Sequence, residues 1–203
     1  PDKNLVYGMR FQNGVVAGDV NWVSNERVLV SLAHQQDEGD APAFTGELFG
    51  INANGSAQRY LFGGARASTI GTRLGGPEPD KGAAYFEAAL PDAPDFALVR
   101  VLKNTVSTAN GRYYDESFTP LSRINLNTGK RDEVAPSPVR TPQRYFADGK
   151  GRAFLVSGTI DSSYVLQTFW RPGAGAWLPV PFKAAVLTPL RLSRDGTRAY
   201  FDA

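Results

Sequence analysis

Few residues in this chain are of types that could do chemistry, and those few are not spaced for it. There is one histidine, His34, and no cysteine. A histidine acts as a general base only beside a nucleophile and with an acid to orient it. His34 follows the apolar run Val28-Leu29-Val30-Ser31-Leu32 and opens Gln35-Gln36-Asp37-Glu38-Gly39-Asp40. Its plain reading is a polar residue where a strand exits into a loop. The carboxylates Asp37, Glu38 and Asp40 are candidates to hold a cation or a peptide amine. Calcium needs about six to eight oxygens, and the D-x-D-x-D-G spacing is missing, so a solvated loop is the default. No thiolate site is available and a histidine-based one has almost no room. No metal and no cofactor are expected.

Other constellations read more simply as structure. Asp92 and Asp95 flank Pro94. Paired carboxylates serve glycosidases, but Pro91-Asp92-Ala93-Pro94-Asp95 is first of all a turn. Tyr113-Tyr114-Asp115-Glu116 with Phe118 offers stacking and hydroxyls for a peptide or sugar. Tyr113 and Tyr114 are therefore binding candidates, in a connection whose aromatics would otherwise pack on a sheet. Gly63-Gly64 and Gly75-Gly76 lack the phosphate-loop spacing G-x-x-x-x-G-K-[ST]. Arg66, Arg73, Arg140 and Arg144 do not line one strand face, so no nucleic-acid partner is expected. Ser56, Ser157 and Ser162 lack the G-x-S-x-G elbow of a serine nucleophile.

The elements that must position these residues are strands. Of 203 residues, 42% are hydrophobic and 21% charged, with net charge +2, as in an ordinary globular domain. Gly 21 and Pro 14 suit short strands and tight turns. No apolar stretch approaches the roughly 18 residues of a membrane span, and no membrane partner is expected. Helical periodicity is nearly absent, the best candidate being the short Lys183 to Leu187 between Pro181 and Pro189.

One kind of hairpin places an apolar approach, a polar turn and an apolar return. Its turns are Ser24-Asn25-Glu26-Arg27, Asp92-Ala93-Pro94-Asp95, Asp148-Gly149-Lys150-Gly151 and Asp195-Gly196-Thr197-Arg198. A second kind turns at Asn13-Gly14, after an approach strand at Val6–Phe11, and at Asn52-Ala53-Asn54-Gly55, Asn127-Thr128-Gly129 and Pro172-Gly173-Ala174-Gly175. Asn-Gly pairs suit tight hairpins because both residues tolerate positive φ. The two kinds alternate, and two hairpins make one four-stranded blade of a propeller. The expectation is all-β: a partial β-propeller with whole blades at about 20–63, 84–135 and 142–182. Half-blades at 1–19 and 183–203 would supply an outer and an inner hairpin that could close a fourth blade. A slice of a larger propeller is favoured over that small ring. All three tryptophans are assigned to packing between blades. The stretch from Gly63 to Gly82 is a long glycine-rich connection.

At Trp22-Val23-Ser24-Asn25-Glu26-Arg27-Val28-Leu29-Val30, and again at Glu47-Leu48-Phe49-Gly50-Ile51-Asn52-Ala53-Asn54-Gly55, the chain is similar to a known family. It resembles the N-terminal propeller of bacterial prolyl-oligopeptidase-like serine peptidases, the dipeptidyl-aminopeptidase and acylaminoacyl-peptidase relatives. Pro91–Val99 and Ile124-Asn125-Leu126-Asn127-Thr128-Gly129-Lys130 continue the likeness, which covers about residues 5 to 160. The resemblance implies a propeller that caps an α/β-hydrolase domain and gates peptide access to it. No part of that hydrolase lies in the 203 residues, and no site residue is carried over. The expected chain is then a non-catalytic fragment, inactive by itself, whose partners are the hydrolase domain of the same parent chain and peptide substrates. A periplasmic or secreted location is slightly favoured. Cut blades would also expose strand edges, so self-association through them is expected. The alternatives are a stand-alone propeller that binds a protein or carbohydrate, and, behind it, a propeller lyase or glycosidase.

Overall fold

The computed structural model describes residues 7–35, 39, 41–63, 82–107, 111–115, 118–161, 165–180, 188–193 and 198–202, with backbone alone at 103–107, 111–115 and 188–192. The described residues form strands, turns and irregular segments. The first sheet orders β1 (Val15–Trp22), β2 (Arg27–His34), β3 (Ala43–Asn52) and β4 (Arg59–Phe62) as an antiparallel meander. The second is built from β5 (Gly82–Ala89), β6 (Phe96–Ser107), β7 (Gly111–Asp115), β8 (Leu121–Asn125) and β9 (Arg131–Ala135). Its spatial order is β5-β6-β8-β9, and β7 pairs with the far end of β6. The third repeats the meander with β10 (Thr141–Ala147), β11 (Ala153–Thr159), β12 (Leu166–Trp170) and β13 (Leu178–Pro179). A two-stranded hairpin, β14 (Thr188–Leu192) and β15 (Ala199–Asp202), lies against β10. Three stacked meanders and a following hairpin make this a partial β-propeller.

Burial on both faces explains the strand sequences. β2 reads as a nearly continuous apolar run because sheets or chain cover it on each side. Leu29, Leu48, Leu61 and Phe62 of the first sheet pack on Ala84, Ala97, Val99 and Ile124 of the second. Leu90, Leu98 and Leu121 of the second pack on Tyr145, Ala153 and Val156 of the third. Each fully buried aliphatic contributes about 1.5–3 kcal/mol. The outward face of the first sheet carries Val28, Val30, Leu32, Phe49 and Ile51, partly covered by Met9 and Phe11.

Turns predicted within the described residues form with the expected chemistry. Ser24 Oγ accepts the Arg27 amide at 3.0 Å. Asn125 Oδ1 accepts the amides of Asn127 and Thr128 at 2.9 Å each, and Gly129 takes φ +76°. Asp148 Oδ1 accepts the amides of Lys150 and Arg152. In each sheet the two hairpins, β1–β2 with β3–β4, β5–β6 with β8–β9 and β10–β11 with β12–β13, turn at the same end, whereas Asn13-Gly14, ahead of β1, lies at the other end, where Gly14 O accepts the Gln35 amide at 2.9 Å. Contacts between sheets align the hairpin ends: Arg27 reaches the Leu126 carbonyl, and the Asp92 amide donates to Gly149 O at 3.2 Å.

Three expectations are corrected. Residues 7–11 form no strand. Phe11 instead packs edge-on against Phe49 at 5.7 Å, and Tyr7 Oη accepts from Gln58 Nε2, so this segment straps the outward face of the first sheet. Burying Phe11 outweighs extending a hairpin whose turn, Asn13-Gly14, does form. Tyr113 and Tyr114 lie in β7, where a loop was expected, opposite Thr105 and Asn104. The Thr, Val and Tyr residues of this ribbon favour extended pairing, and Asn110-Gly111 repeats the hairpin signal read elsewhere. Trp22 and Trp170 are exposed rather than packed between blades, because Trp22, paired with Val28, and Trp170, paired with Leu155, lie on the faces of the first and third sheets that turn away from the second. Trp177 does pack beside the core of the second and third sheets. The helical candidate at 183–187 and most of the 63–82 connection lie outside the described residues.

Candidate functional site

A cleft of about 390 Å³ lies in the seam between the first and second sheets. Strand alternation builds it. β1 carries Asp19 and Asn21 into the cleft, β2 Ser31, β3 Phe44 and Glu47, and β5 Tyr85 and Phe86. Val20 and Trp22, the residues between and after the polar pair, pair with Val30 and Val28 and so belong to the opposite face.

Glycines shape the walls. Gly46 takes φ +78° and approaches β5 so closely that a Cβ there would lie 2.3 Å from Ala83 Cβ. Gly18 leaves room for the Phe44 ring, whose Cε1 would be 2.5 Å from an added Cβ. Phe44 is half exposed and forms the rim. Glu47 is buried, its Oε2 3.2 Å from Thr45 Oγ1, and its amide donates to that same hydroxyl. Burial, and then the Glu47 charge, push the Tyr60 phenol above its ordinary range. The lining residues thus offer two carboxylates, an amide, two hydroxyls and three aromatic rings. That set recognises a cationic or hydrogen-bonding group flanked by apolar surface. No imidazole, thiol or amine is among its lining residues.

Two buried polar clusters hold the walls in place. On the seam of the first and second sheets, Arg27 donates to Asn52 Oδ1 (3.0 Å), Ala57 O (2.6 Å) and Leu126 O (2.7 Å). Gly50 makes this possible, since a Cβ would sit 2.7 Å from the guanidinium. Burial, and the nearby Arg59, lower the Arg27 pKa. On the seam of the second and third sheets, Glu87 pairs with Arg100 at 3.0 Å and accepts the Tyr145 amide at 3.2 Å. Arg100 also donates to the Pro142 carbonyl and sits 5.4 Å from the Tyr85 ring centre. Burial raises the Glu87 carboxyl above its usual value, against the pull of Arg100, the Tyr145 amide and Arg144. Tyr145 Oη donates to Thr119 O at 2.8 Å, and burial pushes its phenol up to about 12.

The residues singled out from sequence fall elsewhere. His34 ends β2, half-buried, paired with Val15 and Ala43, and its ring lies against the Asn13-Gly14 turn. It does not line the cleft. Asp37, Glu38 and Asp40 lie outside the described residues, as do the Tyr113 and Tyr114 side chains. Topology places the end of β2 and the β6–β7 ribbon at the loop ends of their sheets, opposite the tight turns. Asp92 and Asp95 occupy the β5–β6 turn, where Asp95 Oδ1 accepts from Asn127 Nδ2 at 3.2 Å. Among the described residues no group of three His, Asp or Glu side chains is placed to hold a metal ion.

The cleft residues were missed because each reads alone as part of an approach or return strand. A signal was present: Asp19-Val20-Asn21-Trp22 alternates polar and apolar, putting polar groups on a face that elsewhere packs sheet on sheet. Compared with known proteins, the chain matches no family model, no curated protein and no solved structure.

Proposed function

We propose that this chain is the non-catalytic propeller portion of a prolyl-oligopeptidase-like serine peptidase, and that it receives peptide on the way to a hydrolase domain. The supporting observation is the cleft between the first two sheets, with Asp19 and Glu47 as anionic groups and Phe44, Tyr85 and Phe86 as apolar walls. It suits a short peptide carrying Lys or Arg, whose charged tip meets the carboxylates while its stem lies on the rings. The sequence likeness at Trp22–Val30 and Glu47–Gly55 supports the peptidase context. The propeller acts sterically, setting the size of what passes, and contributes no group to bond cleavage.

The test has two parts. The reading frame of the natural protein should encode a G-x-S-x-G hydrolase region beside this propeller. A frame without one would remove the peptidase context and leave a stand-alone binding propeller, the reading the cleft supports by itself. Calorimetric titration with short Lys- and Arg-containing peptides should give saturable binding that F44A weakens at least several-fold. Equal affinity for F44A would remove the cleft as the peptide site.

A further inference from the structure

The first two sheets repeat each other in register, and one position differs in a way that bears on the cleft. Ser31 pairs with Leu48 and Val28 with Ile51 in the first sheet, as Arg100 pairs with Leu121 and Ala97 with Ile124 in the second. Leu48 is buried against the second sheet and Leu121 against the third. Ser31 therefore holds in the first seam the place that Arg100 holds in the second. The neighbouring inner strands correspond as well. Asp19 lies opposite Ser31, in the β1 bulge between Ala17 and Val20, as Tyr85 lies opposite Arg100.

The second seam shows how this place receives a guanidinium. Arg100 is held by the Glu87 carboxylate at 3.0 Å, by the Pro142 carbonyl and by the Tyr85 ring, whose centre is 5.4 Å away. Only 17% of the Arg100 side chain is exposed, so it fills its seam. In the first seam the chain stops at the Ser31 hydroxyl, and the cleft opens there. Its lining residues supply the same kinds of partner, the carboxylates of Asp19 and Glu47 and the rings of Phe44 and Tyr85. No lysine or arginine is among the described lining residues. The partners of a guanidinium are present without the guanidinium.

We infer that the cleft selects arginine over lysine in the peptide it receives, taking the guanidinium into the place that Arg100 fills one seam further on, an assignment that rests on the peptide-receiving role proposed above. The planar fork can meet carboxylate and amide oxygens in two directions while its face lies on a ring, as Arg100 does with Glu87 and Tyr85. A lysine ammonium is a point charge that is more strongly hydrated and stacks less well. The cleft volume of about 390 Å³ is at the small end for ligand pockets, which suits one long side chain.

The test titrates the wild-type chain with three short peptides, capped at both ends and differing only in a central arginine, lysine or citrulline. Capping leaves the side chain as the only charge, and citrulline keeps the shape of arginine without its charge. The arginine peptide should bind at least about tenfold more tightly than the lysine peptide, and the citrulline peptide more weakly than either. Two variants then fill the cleft from within. S31R and S31M should both lose the arginine peptide, and S31R should have the higher urea midpoint, because only its guanidinium meets the carboxylates. Equal affinity for the arginine and lysine peptides, or for arginine and citrulline, would overturn the selection of a guanidinium and leave the peptide-receiving role standing. A folded S31R that binds the arginine peptide as the wild type does, or is no more stable than S31M, would overturn it too. If either variant fails to fold, the peptide series decides by itself. Absence of binding by all three peptides would remove the peptide-receiving role and the selection together.

Discussion

Arg27 and Glu87 carry the clearest consequences at the scale of single residues. Arg27 satisfies three acceptors on two sheets from one guanidinium. Removing it strands those acceptors in a buried seam, so R27A should lose about 3 kcal/mol of unfolding free energy. R27K keeps the charge but not the fork and should recover only part of it. Urea titration of the three proteins reads this directly, and equal midpoints would show that the seam does not depend on Arg27. Glu87 makes a pH-dependent prediction. Its carboxyl is raised above the ordinary 4.5, mainly by burial. The folded chain therefore keeps this proton at pH values where the unfolded chain has released it. Its contribution is fully present below about pH 4.5 and declines as pH rises through the raised folded value. E87Q has no such proton, so the stability of wild type minus that of E87Q should be largest at low pH. A difference that grows with pH would mean that the ion pair with Arg100 outweighs the cost of burial.

At the scale of elements, the approach of β3 to β5 depends on Gly46. Its φ of +78° disfavours any side chain, and an added Cβ would collide with Ala83. G46A should destabilise the chain by about 2–4 kcal/mol. It should also open the seam where the cleft forms, which thermal unfolding and a change in peptide affinity would register together. A neutral G46A would mean that the two sheets are not in contact at this point. Much at this scale was legible in sequence. Asn-Gly and Asp-Gly turns, and apolar runs such as Val28–Leu32, announce hairpins and strands through local chemistry alone. What was not legible depended on tertiary choice. Residues 7–11 have strand-like composition, but Phe11 packs on Phe49. The β6–β7 ribbon looked like a connection because its tyrosines suggested a binding loop, although its Asn-Gly step carried the hairpin signal.

At the scale of the whole molecule, alternation along a strand fixes which residues share a face but not what that face meets. Trp22 and Trp170 looked like core because most strand tryptophans are. Only the order of the sheets shows that both stand on outward flanks. The cleft is a similar case: Asp19, Ser31, Phe44, Glu47 and Tyr85 come from four strands and two sheets, and no local motif joins them. His34, Tyr113 and Tyr114, strand residues at the loop ends of their sheets, draw attention by type, whereas the polar groups that converge on the cleft lie on β1, β2, β3 and β5 and carry no local motif.

The central claim, that the seam between the first two sheets receives peptide, is tested most directly by calorimetric titration. Short Lys- and Arg-containing peptides would be titrated into the wild-type chain and into D19N/F44A. Both substitutions lie at exposed positions, so the fold should survive them. Saturable binding to the wild type that falls by at least about tenfold in the variant, with unchanged unfolding midpoints, is the predicted result. Equal binding by both proteins, or no binding of any such peptide by the wild type, would contradict it.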